Sequence, residues 1–438
     1  MSVNLADYTE LIEELPDNHR QLLEAEWHEA ARILSPRGLD NWLKSAIALM
    51  RMGRGGDIVS AWIDHVPAVA REVGEDVIAD LAQQCLLFAS RTSGAVIELI
   101  VATSPTAAKR LGDPELFRAY LQLLNVLLGQ APRGLRPMLE HLDQLLGVLT
   151  LGGLRRWALW GAQAHRTNFD EQARYFGLES EEAKAMLQKE RKGTLFVDVH
   201  RRIGMYLRAL WGRDFFMRPT AGDFEAREGF KPYIADFFLH LPDAYDDWEG
   251  IPGLELYRAA AAHCAAHVVA TNARIDADRL SALQQACVGL IEDARVEALA
   301  IRRFPRLRDL WLQFHRTQAQ GDTVGGYLNR IARALLDSAY EDTDPLVAWV
   351  REGFASADLS RNAVSLDLGL GLAEEFQKRH LPFSPYRDVQ AAPYRDDNRY
   401  LWEFEEYSYE QAIAAGYGQE KQVRKYVSVS EMVNEVDV

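Results

Sequence analysis

The chain has 438 residues, 48% of them hydrophobic and 10% aromatic, enough to bury several cores at roughly 100–200 residues per domain, so a disordered chain is excluded. Its 49 Lys and Arg against 64 Asp and Glu give a formal charge of −15, which argues against nucleic acid or an anionic membrane as the main partner and favours basic or mixed protein surfaces. Cys85, Cys264 and Cys287 lie far apart without CxxC spacing, so neither a disulfide framework nor a thiolate zinc site is indicated; with no signal-peptide pattern and no uninterrupted apolar run of ~18 residues, a soluble cytoplasmic protein is expected.

From Asp40 to about Arg166 apolar residues recur at helical spacing, as in Trp42, Ile47 and Leu49 or Leu116, Tyr120, Leu123, Leu124 and Leu127. Short apolar segments close on Gly38, Gly74, Gly112 and Gly152, which are 36, 38 and 40 residues apart. That period predicts stacked helical hairpins of the HEAT type, each glycine supplying a left-handed helix end. The expected fold is therefore mainly α, with a helical-repeat domain over 1–167. After Asn168 the segment HRTNFDEQARYF reads as a linker and EEAKAMLQKER as a charged helix. TLFVDV, DFFMRP and KPYIADFFLHLP then suggest a small β-sheet within a mixed helical domain over 168–380. Helices are expected from about Gly253 to Phe354, with breaks near Pro305 and Gly321, and again from Leu372 to His380. The acidic run Pro242–Gly250 reads as a solvated loop, since it lacks the alternating oxygen ligands of a calcium loop. The phrases Pro385-Tyr386-Arg387-Asp388 and Pro393-Tyr394-Arg395-Asp396, the acidic aromatic stretch from Trp402 to Tyr407 and the alternating end YVSVSEMVNEVDV fall in 381–438, expected to be an extended linker.

Common catalytic signatures are missing: no GxxxxGK[ST], GxGxxG or GxSxG occurs, and Gly53-Arg54-Gly55-Gly56 and Gly369-Leu370-Gly371 read as helix-end loops. One constellation stands out. His263 and His267 are four residues apart on one helical face, and 30 residues on Glu297 falls on the apolar stripe of a second helix marked by Leu283, Cys287, Leu290, Ala294 and Ile301. A carboxylate on a buried face needs a cation or hydrogen-bond donors. His263, His267 and Glu297 match the ligand layout of a zinc site with a glutamate third ligand, and Glu292, Asp293 and Arg295 stand beside them as a second layer or a plain polar cluster. In zinc hydrolases a glutamate base directly follows the first histidine; here Cys264 occupies that place. A helix-packing polar cluster, a structural zinc and a degenerate hydrolase are the three readings. Arg201, Arg202 and Arg208, and the run Arg302, Arg303, Arg306 and Arg308, read as solvated faces with some docking potential, and Trp157, Trp160, Trp211 and Trp311 as core.

GLRRWALWGAQAH, GTLFVDVHRRIGMYLRALWGRDFF, FFLHLPDAYDD, ELYRAAAAHCAAH and LIEDARVEALAIRRFPRL together resemble the amino-terminal region of the CbbO and NorD group, from about Gly38 to Trp402. These are von Willebrand factor A (VWA) domain adaptors of hexameric MoxR-type AAA+ ATPases. The resemblance implies a non-enzymatic subunit that uses ATP only through its partner. A CbbQ-like hexamer with inhibited Rubisco as client is the favoured case, and NorD-like activation of nitric oxide reductase the alternative. The VWA domain of the group grips clients through a metal site opened by DxSxS. The present sequence has no DxSxS, the nearest text being Ser356-Ala357-Asp358-Leu359-Ser360, so the linker is expected to lead towards a VWA domain missing from it.

Overall fold

Apolar residues at three- and four-residue spacing drive the first 190 residues into two layers of helices. The computed structural model describes residues 5–55, 57–191, 193–220, 231–315, 323–385, 388 and 392–404. In one layer Asp17–Ile33, Asp57–Val73 and Gly94–Leu111 pack side by side; in the other stand Pro36–Arg51, Val77–Phe88, Pro114–Gln130 and Leu151–Ala164. This is the expected array of helical hairpins, each burying its apolar face against its neighbours. Leu23, Trp42, Trp62, Leu81, Phe117, Leu124 and Trp157 are fully buried along its core. Trp42 and Trp62 donate their indole N–H groups to each other's backbone carbonyls at 3.4 and 3.1 Å, so two polar handles are satisfied without leaving the core.

Two of the four glycines act as expected: Gly74 and Gly112 lie in the left-handed region at φ 93° and 65°. Gly38 and Gly152 instead sit in the first turns of helices. At Gly38 a Cβ would stand 2.3 Å from the Glu75 carboxylate, which accepts the backbone N–H of Ser35, so close approach rather than a turn selects glycine there. Asp113 follows Gly112 and caps the next helix, accepting from the N–H groups of Glu115 and Leu116 at 2.9 and 3.2 Å. Asp113→Ala is expected to cost about 1 kcal/mol in urea unfolding.

The segment read as a linker after Asn168 is a helix, Phe169–Phe176, because Asn168 caps it by accepting from the Glu171 N–H at 3.2 Å. The first core accordingly runs past residue 167 to include Tyr175, Phe176 and Ala183. TLFVDV contributes only a two-residue strand before the helix Phe196–Trp211. The expected small sheet is present. Phe238–Pro242 lies at its centre, parallel to Phe216–Thr220 with Phe216 opposite Phe238, and antiparallel to Tyr233–Ala235. Ile234, Leu239 and Leu241 turn one face inward.

Two long helices run through the second half: Gly253–Ala270, here the histidine helix, and Ala282–Arg303, the carboxylate helix. A reciprocal cap starts the latter, Ser281 accepting from the Gln284 N–H at 3.3 Å and Gln284 from the Ser281 N–H at 2.9 Å. Its Val296, Ala300 and Ile301 join a core with Tyr257, Ala260 and Trp311, while its Cys287, Leu290 and Ile291 join another with Ile331, Val350, Leu372 and Phe376. The last helix, Ala363–Lys378, starts well before Leu372 and contains Gly369 and Gly371. Gly369 is no helix-end loop: its missing side chain lets this helix cross the carboxylate helix at Val288.

Residues 392–404, placed in a linker by the sequence, pack into the second half. Tyr394, Arg395 and Leu401 are fully buried, and Trp402–Glu403 pairs with Ile275–Asp276 as a short parallel ladder. The polar phrase misleads because its charged groups find partners inside the protein, Arg395 in Glu297 and Asp396 in His263 and His267. Tyr386, Arg387, residues 405–407 and the alternating end lie outside the described residues, among which no helix is long and apolar enough to cross a membrane.

Candidate metal centre

Alanines make the histidine helix thin enough to be surrounded. Ala259, Ala260, Ala261, Ala262, Ala265 and Ala266 are all buried, so neighbouring segments close on it from every side. His263 and His267 project from the same face with ring centres 4.8 Å apart. The carboxylate helix is likewise buried on all sides from Cys287 to Glu297, not along a single stripe. It brings Asp293 to the imidazoles, and Asp396 arrives from the opposite side on residues 392–404. Nε2 of His263 lies 3.8 Å from Oδ1 of Asp293 and 3.3 Å from Oδ1 of Asp396. Nε2 of His267 is 3.4 and 3.5 Å from the same two oxygens. The four groups thus form a closed knot in which each offers an atom within 4.8 Å of the others, all of them buried.

Glu297 does not take the third-ligand place expected from the sequence. Arg395 holds it from Nε to Oε1 at 3.0 Å and from Nη2 to Oε2 at 2.7 Å, and the Tyr394 hydroxyl donates to Oε1 at 2.9 Å. Its Oε1 also stands 3.1 Å from Nδ1 of His263, without the geometry of a good hydrogen bond. The physical reason is register: Asp293 is one helical turn nearer the imidazole Nε2 atoms, while Glu297 meets the ring from behind. Asp293, which the sequence reading set behind the histidines, is the carboxylate of this helix that faces their Nε2 atoms, and Asp396 went unrecognised. Glu292 and Arg295 belong to a neighbouring cluster. Arg295 donates from Nε and Nη2 to Glu292 at 2.7 Å each, and onward to the carbonyls of Leu359 and Ala270. Ser365 and Thr271 also donate to Glu292, at 2.7 and 2.8 Å.

That last bond fixes a tautomer. The Thr271 hydroxyl spends its proton on Glu292, so towards Nδ1 of His267, 3.2 Å away, it can only accept. His267 therefore carries a proton on Nδ1 and, when neutral, turns a bare Nε2 lone pair towards two carboxylates.

Burial opposes charge throughout the cluster, yet ion pairing prevails. Burial raises the Glu297 pKa, but Arg395 and His263 outweigh it and hold the carboxyl below its ordinary range. Glu292 is lowered against burial by Arg295 and Ser365, and Asp396 by His267 and His263. For His263 burial lowers the pKa, but Asp396 and Glu297 raise it to about 9. His315, which meets the Tyr394 hydroxyl at 2.9 Å, is lowered by burial and Arg395 to about 3 and stays neutral. Because the folded pKa values of Glu292, Glu297 and Asp396 are depressed, the stability they add is present above the usual carboxylate range of about 4–5 and is lost as pH falls from that range through the lower folded values. The urea midpoint is expected to decline from about pH 6.5, where the unfolded His315 ring takes up a proton that the folded one refuses, and to fall more steeply below about 5 as the carboxylates titrate; a flat profile down to pH 3 would remove these groups from the stability of the fold.

The remaining features are structural. In the acidic run Asp246 accepts from the Gly193 N–H at 2.9 Å and Asp247 from the Gly253 N–H at 3.0 Å, so these carboxylates tie loops to neighbouring backbone. Trp157, Trp211 and Trp311 are core as expected, but Trp160 is 40% exposed. Arg201, Arg202, Arg208, Arg302, Arg303, Arg306 and Arg308 are exposed. Comparison of the chain with protein-family models, with curated proteins and with solved structures gives no match.

Proposed function

We propose that the protein is a non-enzymatic cytoplasmic adaptor. It binds a hexameric MoxR-type AAA+ ATPase of the CbbQ kind and couples ATP-driven remodelling to a client enzyme, inhibited Rubisco being the client that the resemblance implies. The observation that supports an adaptor over a hydrolase is the sealing of its most distinctive residues. His263, His267, Glu292 and Asp293 are 0% exposed and Glu297 is 1% exposed, so the phrases carrying the resemblance build the centre of a domain rather than the floor of an active site. Chemistry of that kind is binding: the ATPase supplies free energy, and the adaptor must prefer one state of ATPase or client to another for any of it to be coupled. The two-layer helical array and the exposed arginines from Arg302 to Arg308 are the docking faces this reading favours.

The test is size-exclusion chromatography of the chain with a CbbQ-type hexamer and, in parallel, a NorQ-type hexamer, followed by the ATPase rate of any complex. Co-elution with the first and a changed ATPase rate are expected; co-elution with the second alone moves the client to nitric oxide reductase. Failure with both, or a peptidase activity abolished by His263→Ala, overturns the adaptor reading.

A further inference from the structure

The geometry points to a buried site for one divalent first-row transition ion, zinc foremost, held by Nε2 of His263 and His267 and by one carboxylate oxygen each of Asp293 and Asp396. This inference does not depend on the ATPase partnership.

Distance is the first ground. A charged imidazolium hydrogen-bonded to a carboxylate settles at about 2.7–2.9 Å. The four nitrogen–oxygen separations here are 3.3, 3.4, 3.5 and 3.8 Å. All are longer than that, the shortest being a long hydrogen bond between His263 and Asp396, and three of the four fall at the ~3.3–3.5 Å ligand-to-ligand edge of a tetrahedron whose metal bonds are about 2.0–2.2 Å.

The second ground is satisfaction. Nε2 of His267 and Oδ2 of Asp396 have no hydrogen-bond partner although both side chains are buried, and the tautomer set by Thr271 aims the former's lone pair at the carboxylates. A buried acceptor facing buried acceptors is a costly arrangement unless a cation lies between them.

Charge is the third. The wholly buried ionisable groups of the two linked clusters are Glu292, Asp293, Glu297 and Asp396 against Arg295 and Arg395, so that once both imidazoles are neutral, as ligation of a metal requires, two negative charges stand in excess. Lys231, the further cation acting on Asp396, stands partly exposed at the rim. One divalent ion closes the count.

Donor type narrows the ion. Two imidazoles with two carboxylates suit zinc, iron(II) or manganese(II), whereas calcium and magnesium favour all-oxygen shells of higher coordination number. Four protein ligands make a closed, structural site rather than one with a vacant catalytic position. Behind the ligands, Glu297 at His263 and Thr271 at His267 stand where metal-bound histidines usually have an orienting acceptor. The ion would bind the histidine helix, the carboxylate helix and residues 392–398 at a single point.

The experiment is elemental analysis of the full, tag-free chain purified without chelator, with cobalt(II) reconstitution of chelator-treated protein. Close to one equivalent of metal and the strong visible absorption of tetrahedral cobalt are expected. His267→Gln and Asp396→Asn should each lose both, and Thr271→Val should keep the site but bind metal about 10–100-fold more weakly. Helix content by circular dichroism separates loss of the site from loss of the fold, and the cobalt spectrum of the unsubstituted chain needs no variant at all. Less than about a tenth of an equivalent after zinc exposure, with no cobalt band, overturns the proposal. A full equivalent retained by both ligand variants overturns the assignment of these ligands.

Discussion

Arg395→Ala is expected to lower the unfolding free energy by about 3–5 kcal/mol, the range seen when one partner of a buried ion pair is removed. The guanidinium is 0% exposed, grips Glu297 with two nitrogens and stands 3.7 Å from Oδ2 of Asp293. Alanine would leave the buried Glu297 with the Tyr394 hydroxyl and His263 beside it and without its two guanidinium donors. Arg395→Lys should recover little, since one ammonium cannot reproduce the fork. Glu297→Gln in the Arg395→Met background should cost less than the two single changes added together, because the pair rather than either residue carries the penalty. Chemical unfolding of the four proteins measures this directly. Additive losses would mean that the two side chains act independently, contrary to their bonding.

The second large effect is expected at a glycine. A Cβ on Gly369 would stand 2.6 Å from Cα and 2.7 Å from Cγ2 of Val288. Backbone cannot step aside, so Gly369→Val must push the last helix off the carboxylate helix. The loss should reach or exceed the 1–3 kcal/mol typical of an overpacked core, and should also disturb Ser365, which donates to Glu292 one turn earlier. Gly371→Ala is the control: its Cβ would meet only the tip of the Trp349 ring at 3.0 Å, and that ring is 42% exposed and can swing. Thermal unfolding of the two variants should therefore differ widely. Equal losses would show that helix propensity, and not the crossing, sets the cost.

Much of the architecture was legible because it rests on periodicity. The helical array, the small sheet and the paired histidines all follow from spacing that survives in a single sequence. The glycine period was a partial guide: Gly74 and Gly112 end helices, whereas Gly38 was selected by the approach of Glu75, a contact with no local signature. Three of the four residues of the site were legible too. His263, His267 and Asp293 were visible as neighbours on two helices, but their ranking was not, since only the crossing of those helices decides whether Asp293 or Glu297 reaches the Nε2 atoms. Asp396 was hidden for a different reason. It lies in a phrase of proline, tyrosine and charge that hydropathy assigns to a linker, and only its pairing with buried groups far away in sequence makes burial tolerable.

That separation bears on how the chain acquires its structure. Asp396 meets His263 across 133 positions and Arg395 meets Glu297 across 98. During synthesis the histidine and carboxylate helices leave the ribosome with Glu292 already beside Arg295 but with Asp293 and Glu297 lacking Arg395, and they must wait for the segment around residue 395 before their interior can close. The hairpin array, built from contacts between near neighbours, has no such delay. The first half should therefore reach its native form while translation continues, and the second only after most of the polypeptide has emerged. In that interval the second half would be a natural client for chaperones.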